Sequence, residues 1–219
     1  MRWGLFGGCF DPIHYGHLRS AEEVREKLGL EKVVFIPTRV PPHKDPAGLS
    51  AFPHRYEMVR RAIGNHPFFE VSDEEGKRDG VSYTVDTVDS WRRQWGEEKG
   101  LFFITGQDAF DAIRTWKEWE RLIRICNFAV MTRPGSLRGD LACVLTPEVA
   151  AYFQYSEKDD CYRGPAGYGI YFVSVTFLDI KARSIRKMIR QGRSVTFLTP
   201  DPVIRYIKEN KLYMEGEGA

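Results

Sequence analysis

The sequence has no hydrophobic run long enough to cross a membrane, and neither sign of charge is in clear excess. Its apolar runs all fall well short of the roughly 20 residues that a membrane-spanning helix needs. The 32 Lys and Arg residues are nearly balanced by 30 Asp and Glu, which leaves a formal net charge of +2 over 219 residues. Nucleic-acid-binding domains are usually strongly basic. The composition therefore argues against a membrane protein and against nucleic acid as a partner.

Cysteine is also scarce, and its copies are scattered. The four cysteines are Cys9, Cys126, Cys143 and Cys161. Because no two of them form a C-x-x-C pair, the spacing argues against a zinc knuckle and against a disulfide framework. The apolar stretch near the N-terminus is interrupted by Asp11-Pro12, which makes it too short for a secretory signal. We therefore expect a protein of the reducing cytoplasm.

Two widespread phosphate-binding motifs are missing from the sequence. No G-x-x-x-x-G-K-[ST] loop is present, and no G-x-G-x-x-G follows the first apolar run. The first absence argues against a P-loop nucleoside triphosphatase. The second argues against an oxidoreductase that binds a dinucleotide.

Short apolar runs alternate with amphipathic segments along the chain. Strands are predicted at residues 3–6, 32–36, 68–71, 101–104, 128–131 and 170–173. The runs at 101–104 and 128–131 are apolar without alternation, which is typical of strands buried on both faces of a parallel sheet. Apolar residues at helical spacing predict helices, which cover 18–28, 53–63, 85–95, 185–189 and 203–207. This alternation predicts an α/β fold, a Rossmann-like doubly wound parallel sheet with a small C-terminal helical portion.

The boundaries in the second half of the chain are less regular. Residues 156–169 are polar, charged and rich in glycine, which predicts a loop. We predict that Ser184 caps the first C-terminal helix and that Thr199 or Asp201 caps the second. No repeat or linker divides the chain, so we expect one domain over 1–219, with a core at about 1–178 and a helical subdomain at about 179–219.

Residues 7–17 form the most informative stretch, Gly-Gly-Cys-Phe-Asp-Pro-Ile-His-Tyr-Gly-His, between the first predicted strand and the first predicted helix. Glycines let the backbone approach an anion, and a helix N-terminus offers N–H groups and a favourable dipole. His14 and His17 stand at the start of that helix, where imidazoles can hydrogen-bond to charge that develops during a reaction. Their spacing lacks the glutamate of H-E-x-x-H, so a zinc site is the weaker interpretation. The stretch predicts a nucleotide site.

This stretch resembles the G-G-x-F-D-P-x-H-x-G-H signature of bacterial nicotinate mononucleotide adenylyltransferases, which belong to the nucleotidyltransferases with a His-x-Gly-His motif. The resemblance continues through segments spread over nearly the whole chain, namely 41–44, 82–87, 105–108, 116–119, 133–135 and 179–213. It implies that the adenylyl group of ATP is transferred to nicotinate mononucleotide. The implied products are nicotinate adenine dinucleotide and pyrophosphate, and the implied pathway is NAD biosynthesis.

The resemblance also assigns residues to each substrate. It implies that ATP is bound by Gly7, Gly8, Cys9, Phe10, His14, His17, His43, Lys44, Gly106, Arg133, Ser184 and Arg186. The catalytic residues among them are expected to be His14, His17, Lys44 and Arg186. It implies that nicotinate mononucleotide is bound by Thr84, Val85, Asp108, Trp116 and Lys117. Trp116 is expected to stack on the nicotinate ring, and Asp108 to hold the ribose.

The implied reaction needs no catalytic base, because a phosphate monoester is already an anionic nucleophile near neutral pH. Positioning and charge stabilisation must then supply the rate. ATP chemistry implies Mg²⁺, yet no cluster of acidic residues marks a metal site built by the protein. We therefore expect Mg²⁺ to arrive on ATP, mostly hydrated, and no protein-held metal.

The chain departs from the family pattern at residues 180–186. The pattern Ile-Ser-Ser/Ala-Thr-x-Ile-Arg is replaced by Ile-Lys-Ala-Arg-Ser-Ile-Arg, so that Lys181 and Arg183 stand where hydroxyl residues are usual. Either cation can replace a neutral hydrogen bond with a charged one, or Ser184 can act as the cap instead. Three alternative functions stay open: an adenylyltransferase for nicotinamide mononucleotide, one for phosphopantetheine, and a non-catalytic nucleotide sensor. The oligomeric state also stays open, a homo-oligomer included.

Overall fold

A mixed β-sheet forms the centre of the fold. The computed structural model describes residues 1–42, 48–96, 100–135 and 141–214, and eight strands lie within them. In chain order the strands are β1 (Trp3–Gly8), β2 (Lys32–Pro37), β3 (Phe69–Val71), β4 (Leu101–Gly106), β5 (Asn127–Thr132), β6 (Gln154–Ser156), β7 (Cys161–Arg163) and β8 (Gly169–Ser174). Their order across the sheet is β3-β2-β1-β4-β5-β8-β7-β6.

The strand directions give the sheet a doubly wound topology. Strands β3, β2, β1, β4, β5 and β8 are parallel, while β7 and β6 run antiparallel at one edge. The chain moves outward from β1 in one direction, then returns to place β4 on the other side of it. This reversal of strand order between β1 and β4 is the point at which doubly wound sheets bind ligands. The predicted fold class is confirmed.

Helices pack against both faces of the sheet. Within the described residues they are α1 (Tyr15–Leu28), α2 (Phe52–Ile63), α3 (Glu74–Lys77), α4 (Thr84–Trp95), α5 (Gln107–Phe110), α6 (Trp119–Leu122), α7 (Leu141–Val144), α8 (Pro147–Ala150), α9 (Ala182–Arg190) and α10 (Asp201–Glu209). Successive side chains of a strand point to opposite faces. Leu5 of β1 therefore packs in one core with Val88 of α4, and Phe6 packs in the other core with Val24 of α1. No helix in the described part of the chain has both the length and the apolar composition to span a membrane.

The prediction of a loop over residues 156–169 is wrong at residues 161–163, which form a strand, whereas residues 157–160 and 164–168 lie outside the strands. Strands β6 and β7 form an antiparallel hairpin there, with Tyr155 opposite Tyr162, and β7 pairs with β8. The hairpin forms the edge of the sheet, and most of its residues stay partly or fully exposed. An edge hairpin that faces water does not need the continuous apolar run by which the buried strands were predicted, so its sequence resembles that of a loop.

The predicted helix caps in the C-terminal portion are also wrong. Lys181 is the N-cap of α9, so Ser184 lies exposed within the helix. Pro200 is the N-cap of α10, so neither Thr199 nor Asp201 has that position. The buried hydroxyl of Thr199 instead donates a hydrogen bond of 2.7 Å to the carbonyl oxygen of Ile13. A hydroxyl group near a helix start can cap the helix or form a hydrogen bond with a distant segment, and the sequence does not distinguish these two roles. The division of the chain near residue 178 stays a prediction.

Candidate active site

Two adjoining cavities open at the carboxyl ends of β1 and β4, where the strand order reverses. The cavity lined by His14, His17 and Arg186, here called the signature cavity, has a volume of about 830 Å³. The cavity lined by Tyr83, Phe103 and Trp116, here called the aromatic cavity, has a volume of about 540 Å³. Both volumes are typical of small-molecule sites. Four residues line both cavities, namely Gly8, Cys9, Gly106 and Ala109. Ligands in the two cavities would therefore be neighbours.

The loop after β1 is held in one shape by a buried arginine. Arg55 of α2 is 1 % exposed and donates hydrogen bonds to the carbonyl oxygens of Cys9, at 2.9 Å, and Thr38, at 2.6 Å. Phe10 follows in the left-handed region, with a φ of 49°, and its buried ring lies edge-on to the ring of His17 at 5.1 Å. Sequence reasoning missed Arg55, because nothing but its burial separates it from the other arginines of the same helix.

The two histidines are stacked, and their hydrogen bonding differs. Their ring centroids are 3.7 Å apart with an interplanar angle of 22°. Nδ1 of His17 accepts the backbone N–H of His14 at 3.3 Å. Because Nδ1 accepts, a neutral His17 carries its proton on Nε2. Within the described residues, no group of three or more side chains that could hold a metal ion includes these histidines.

His14 is an uncharged group in the signature cavity. Its side chain is 6 % exposed, and burial lowers its pKa from 6.5 to about 4. Its side chain and that of His17 form a capping box at the start of α1, in which the His14 side chain faces the backbone N–H of His17. A bound anion would favour the protonated form of the ring.

Arg186 of α9 is anchored to the signature loop through Asp11. Its Nη1 donates to the Asp11 carbonyl oxygen at 2.7 Å and lies 3.8 Å from Oδ2 of the same residue. Asp11 is 2 % exposed, and its carboxylate also accepts the backbone N–H of Ser50 and the hydroxyl of Tyr213. The aspartate therefore joins the first βα loop to the C-terminal helices. Its organising role was missed, since its partners lie far away in the chain.

Further cations line the signature cavity beside Arg186. Lys181 and Arg183 are exposed residues of its wall; Lys181 lies 3.3 Å from Asp179, whereas Arg183 forms no ion pair with any residue that the structure describes. Arg183 and Arg186 are three residues apart, which places them on neighbouring positions of the same helical face. Arg133 also lines this cavity, and its guanidinium lies 4.3 Å from the ring centroid of Phe177. The cavity thus suits a highly charged anion.

The aromatic cavity combines flat rings with the N-terminus of a helix. Trp116 is half-buried, and its ring lies edge-on to Phe103 with centroids 5.9 Å apart. Thr84 is the first residue of α4, where backbone N–H groups have no partner within the helix. Val85 follows with its side chain 1 % exposed in the core. Lys117 is turned to Asp86, with Nζ 3.0 Å from Oδ1.

The structure brings most of the predicted residues together. The signature cavity is lined by Phe10, His14, His17, Asp108, Arg133 and Arg186. The aromatic cavity is lined by Gly7, Thr84, Trp116 and Lys117. Both are lined by Gly8, Cys9 and Gly106. Ser184 and the side chain of Val85 line neither, and Asp108 faces the signature cavity although it was assigned to the mononucleotide. His43 and Lys44 lie outside the described residues.

Comparison with known proteins agrees with this geometry. Residues 5–188 match a family model described as cytidylyltransferase-like. The chain is 44% identical over 216 residues to a probable nicotinate-nucleotide adenylyltransferase of Geotalea daltonii, with 99% of this chain and 100% of that protein covered. A probable nicotinate-nucleotide adenylyltransferase of Geobacter metallireducens is 43% identical over 214 residues, with 97% and 98% covered.

Solved structures share the fold. The nicotinic acid mononucleotide adenylyltransferase of Plasmodium falciparum, complexed with NaAD, superposes with a TM-score of 0.73 at 20% identity, with 97% of each chain covered. The same protein complexed with APC gives a TM-score of 0.71 at 20% identity, with 97% of this chain and 96% of that chain covered. At this level of identity the likeness concerns the fold alone.

Proposed function

The chain belongs to the cytidylyltransferase-like family, and from this we infer that it is an enzyme that transfers the adenylyl group of ATP to nicotinate mononucleotide. The products are nicotinate adenine dinucleotide and pyrophosphate, in NAD biosynthesis. The observation that carries this function is the pair of cavities at the switch point, one cationic and one aromatic, with Gly8, Cys9, Gly106 and Ala109 in common. This arrangement supports two substrates that meet at the shared residues, with the more anionic one in the cationic cavity.

The reaction is a direct displacement at phosphorus. The 5′-phosphate of nicotinate mononucleotide attacks the α-phosphorus of ATP, the bond to the β-phosphate oxygen breaks, and pyrophosphate leaves with its electron pair. Because the attacking phosphate is anionic, the protein has to align the two substrates and stabilise charge rather than remove a proton. The shared wall at Gly8 and Gly106 is suited to this alignment, since it separates the cavities without a bulky side chain.

We assign the two histidines to the α-phosphate. His17 has the proton on Nε2 when neutral, because Nδ1 accepts from the His14 backbone. Nε2–H is thus a donor for an oxygen that gains charge in the transition state. His14 enters the reaction uncharged, since burial keeps its pKa at about 4. A bound triphosphate raises that pKa, so His14 gains hydrogen-bonding strength when ATP is present.

We assign the leaving pyrophosphate to the cations of α9. Arg186 is held by the Asp11 carbonyl oxygen, and Arg183 and Lys181 line the same cavity. A guanidinium offers a planar pair of donors that matches phosphate oxygens. Lys44 and His43 remain assigned to the leaving pyrophosphate because of the sequence resemblance. Gly7, Gly8, Cys9, Phe10, Gly106 and Arg133 are assigned to ATP on the strength of their place in the motifs.

Mg²⁺ is proposed to arrive on the phosphates of ATP. Within the described residues no cluster of acidic side chains is placed to hold it. Asp11, a carboxylate at the wall of the cavity, already accepts from Ser50 and Tyr213. Magnesium keeps several water ligands in sites of this kind and is held mainly by substrate phosphates. It would neutralise charge on the triphosphate, while the protein supplies the cations and the alignment.

Nicotinate mononucleotide is proposed to occupy the aromatic cavity. Trp116 stacks on the pyridine ring, and the carboxylate of the ring accepts from the N–H groups of Thr84 and Val85 at the start of α4. Asp108 lines the signature cavity next to Ala109, which lines both cavities, and this supports its assignment to the ribose.

We propose the cytoplasm as the compartment; all four cysteines are described, and none forms a disulfide.

An acceptor panel tests this function. Purified protein is incubated with ATP, Mg²⁺ and one of three acceptors: nicotinate mononucleotide, nicotinamide mononucleotide or phosphopantetheine. Pyrophosphate release and the adenylylated product are measured together. We expect the highest kcat/KM with nicotinate mononucleotide. A preference for the amide or for phosphopantetheine contradicts the substrate assignment, and ATP binding without turnover on any acceptor indicates a nucleotide sensor.

A further inference from the structure

Glu75 is a buried carboxyl group at the wall of the aromatic cavity. It lies in α3, its side chain is 6 % exposed, and it lines the cavity together with Tyr83, Phe103 and Trp116. A buried carboxylate costs free energy unless hydrogen bonds or a nearby cation compensate it. Sequence reasoning did not single it out, since it stands next to another glutamate, Glu74, in a polar segment.

The two oxygens of this carboxyl group have different surroundings. Oε1 accepts the hydroxyl of Thr87 at 2.7 Å and lies 3.7 Å from Nη2 of Arg78. Oε2 is buried and makes no hydrogen bond of acceptable geometry within the described part of the chain. Burial raises the pKa of Glu75, although Thr87, Ser82 and Arg78 act in the opposite direction. One oxygen is therefore held in place, and the other remains unsatisfied.

The rest of the cavity wall suits a cation that donates no hydrogen bond. Tyr83, Phe103 and Trp116 present aromatic rings, whose faces attract positive charge. The ammonium group of Lys117 already lies over the Tyr83 ring, 4.9 Å from its centroid, and its charge is balanced by the Asp86 carboxylate at 3.0 Å. Aromatic rings that line one cavity can recognise a quaternary nitrogen, and here a buried carboxyl group lines the same cavity.

We propose that Glu75 is a specificity-determining residue that recognises the positive charge of the pyridinium ring in the acceptor. The inference rests on the proposed function. Nicotinate mononucleotide has a quaternary ring nitrogen and a carboxylate on the same ring, so its base is a zwitterion. The N-terminus of α4 binds the carboxylate, and Glu75 stabilises the ring cation. Together they select a charged pyridinium carboxylate over a neutral ring of the same shape.

The test compares the acceptor with its reduced form. The 1,4-dihydropyridine form of nicotinate mononucleotide has the same carboxylate, ribose and phosphate, but its ring is neutral. Binding of both forms is measured by calorimetry in the wild-type protein and in Glu75→Gln, which keeps the shape of the side chain and removes its charge. We expect the wild type to prefer the oxidised form at least about tenfold, and the variant to lose about tenfold in affinity for that form alone.

Three results would overturn the proposal. The first is a wild type with no preference for the oxidised form. The second is a Glu75→Gln variant that keeps the full preference, and the third is a Glu75→Gln variant that loses the same affinity for both forms. The last result indicates that Glu75 only supports the local structure through Thr87. Because the aromatic rings also favour the cation, the decisive quantity is the change in preference between the wild type and the variant.

Matched variants separate charge from folding. Glu70→Gln makes the same change in an exposed glutamate that lines neither cavity and should leave the preference unchanged. Glu75→Asp keeps the charge and should keep most of the preference even if Glu75→Gln does not fold; a preference lost in Glu75→Asp contradicts the proposal. ATP affinity and thermal unfolding are measured for each variant. Turnover of nicotinate mononucleotide by the wild type tests the proposed function separately. If the wild type does not turn over this substrate, the proposed function is wrong, whereas the binding comparison still tests the role of Glu75.

Discussion

Replacement of His14 by Asn should remove a pH dependence of stability that this one ring creates. Burial lowers the pKa of His14 from 6.5 to about 4 in the folded protein. Between these values the unfolded chain binds a proton that the folded chain does not, so the free energy of unfolding falls as the pH falls. At about 1.4 kcal/mol per pKa unit, the whole effect is about 3 kcal/mol. About 2 kcal/mol of it should appear between pH 7.5 and pH 5.0.

The measurement is urea unfolding of the wild type and His14→Asn at several pH values in that range. Asn is a good N-cap residue, so α1 keeps its start. Carboxylates with lowered pKa values, such as Glu57 with its two arginine partners, titrate in both proteins and cancel in the difference. We expect the wild type to lose stability relative to the variant as the pH falls. His66→Asn, which replaces a less buried histidine, is the control.

The reasoning is refuted if the difference in stability between the wild type and His14→Asn stays constant between pH 7.5 and pH 5.0. A constant difference means that the His14 ring has the same pKa in the folded and unfolded states, so that it is not buried in its neutral form. ATP provides a second check. A bound triphosphate favours the protonated ring, so the stabilisation of the wild type by ATP should grow as the pH falls from 7.5 to 5.5. In His14→Asn that growth should be smaller.

Three further substitutions test the assignments within the two cavities. His17→Ala should lower kcat about 100-fold or more while the Kd for ATP changes little, because its Nε2–H is assigned to charge that develops in the transition state; equal losses in both would contradict this. Trp116→Ala should raise the KM for nicotinate mononucleotide about tenfold and leave the KM for ATP unchanged; an unchanged acceptor KM would place Trp116 in the core only. Arg183→Thr should weaken pyrophosphate binding about tenfold and reduce its salt dependence, with Lys187→Thr, on the same helix but outside the cavity lining, as the control.

Much of the fold was predictable because it rests on local pattern. Parallel strands buried on both faces need continuous apolar runs, and the runs at 3–6, 32–36, 101–104 and 128–131 all lie within strands. The helix over Thr84–Trp95 ends where Gly96 follows it with a positive φ of 84°. The hairpin of β6 and β7 was missed because an edge exposed to water carries no such run. The caps of α9 and α10 were misplaced because several neighbouring residues suit the position equally well.

The candidate site was also predictable only where it depends on local sequence. The sequence by itself determined the loop at residues 7–17, the two histidines at the start of a helix, and the prediction of a nucleotide site, because these depend on residue types at fixed short spacing. The tertiary structure alone decided that Arg55 supports the loop, that Asp11 joins it to Arg186 and Tyr213, and that Glu75 is buried beside three aromatic rings. Burial and charge pairing between distant segments depend on how the chain packs, so the spacing of residues in the sequence does not predict them.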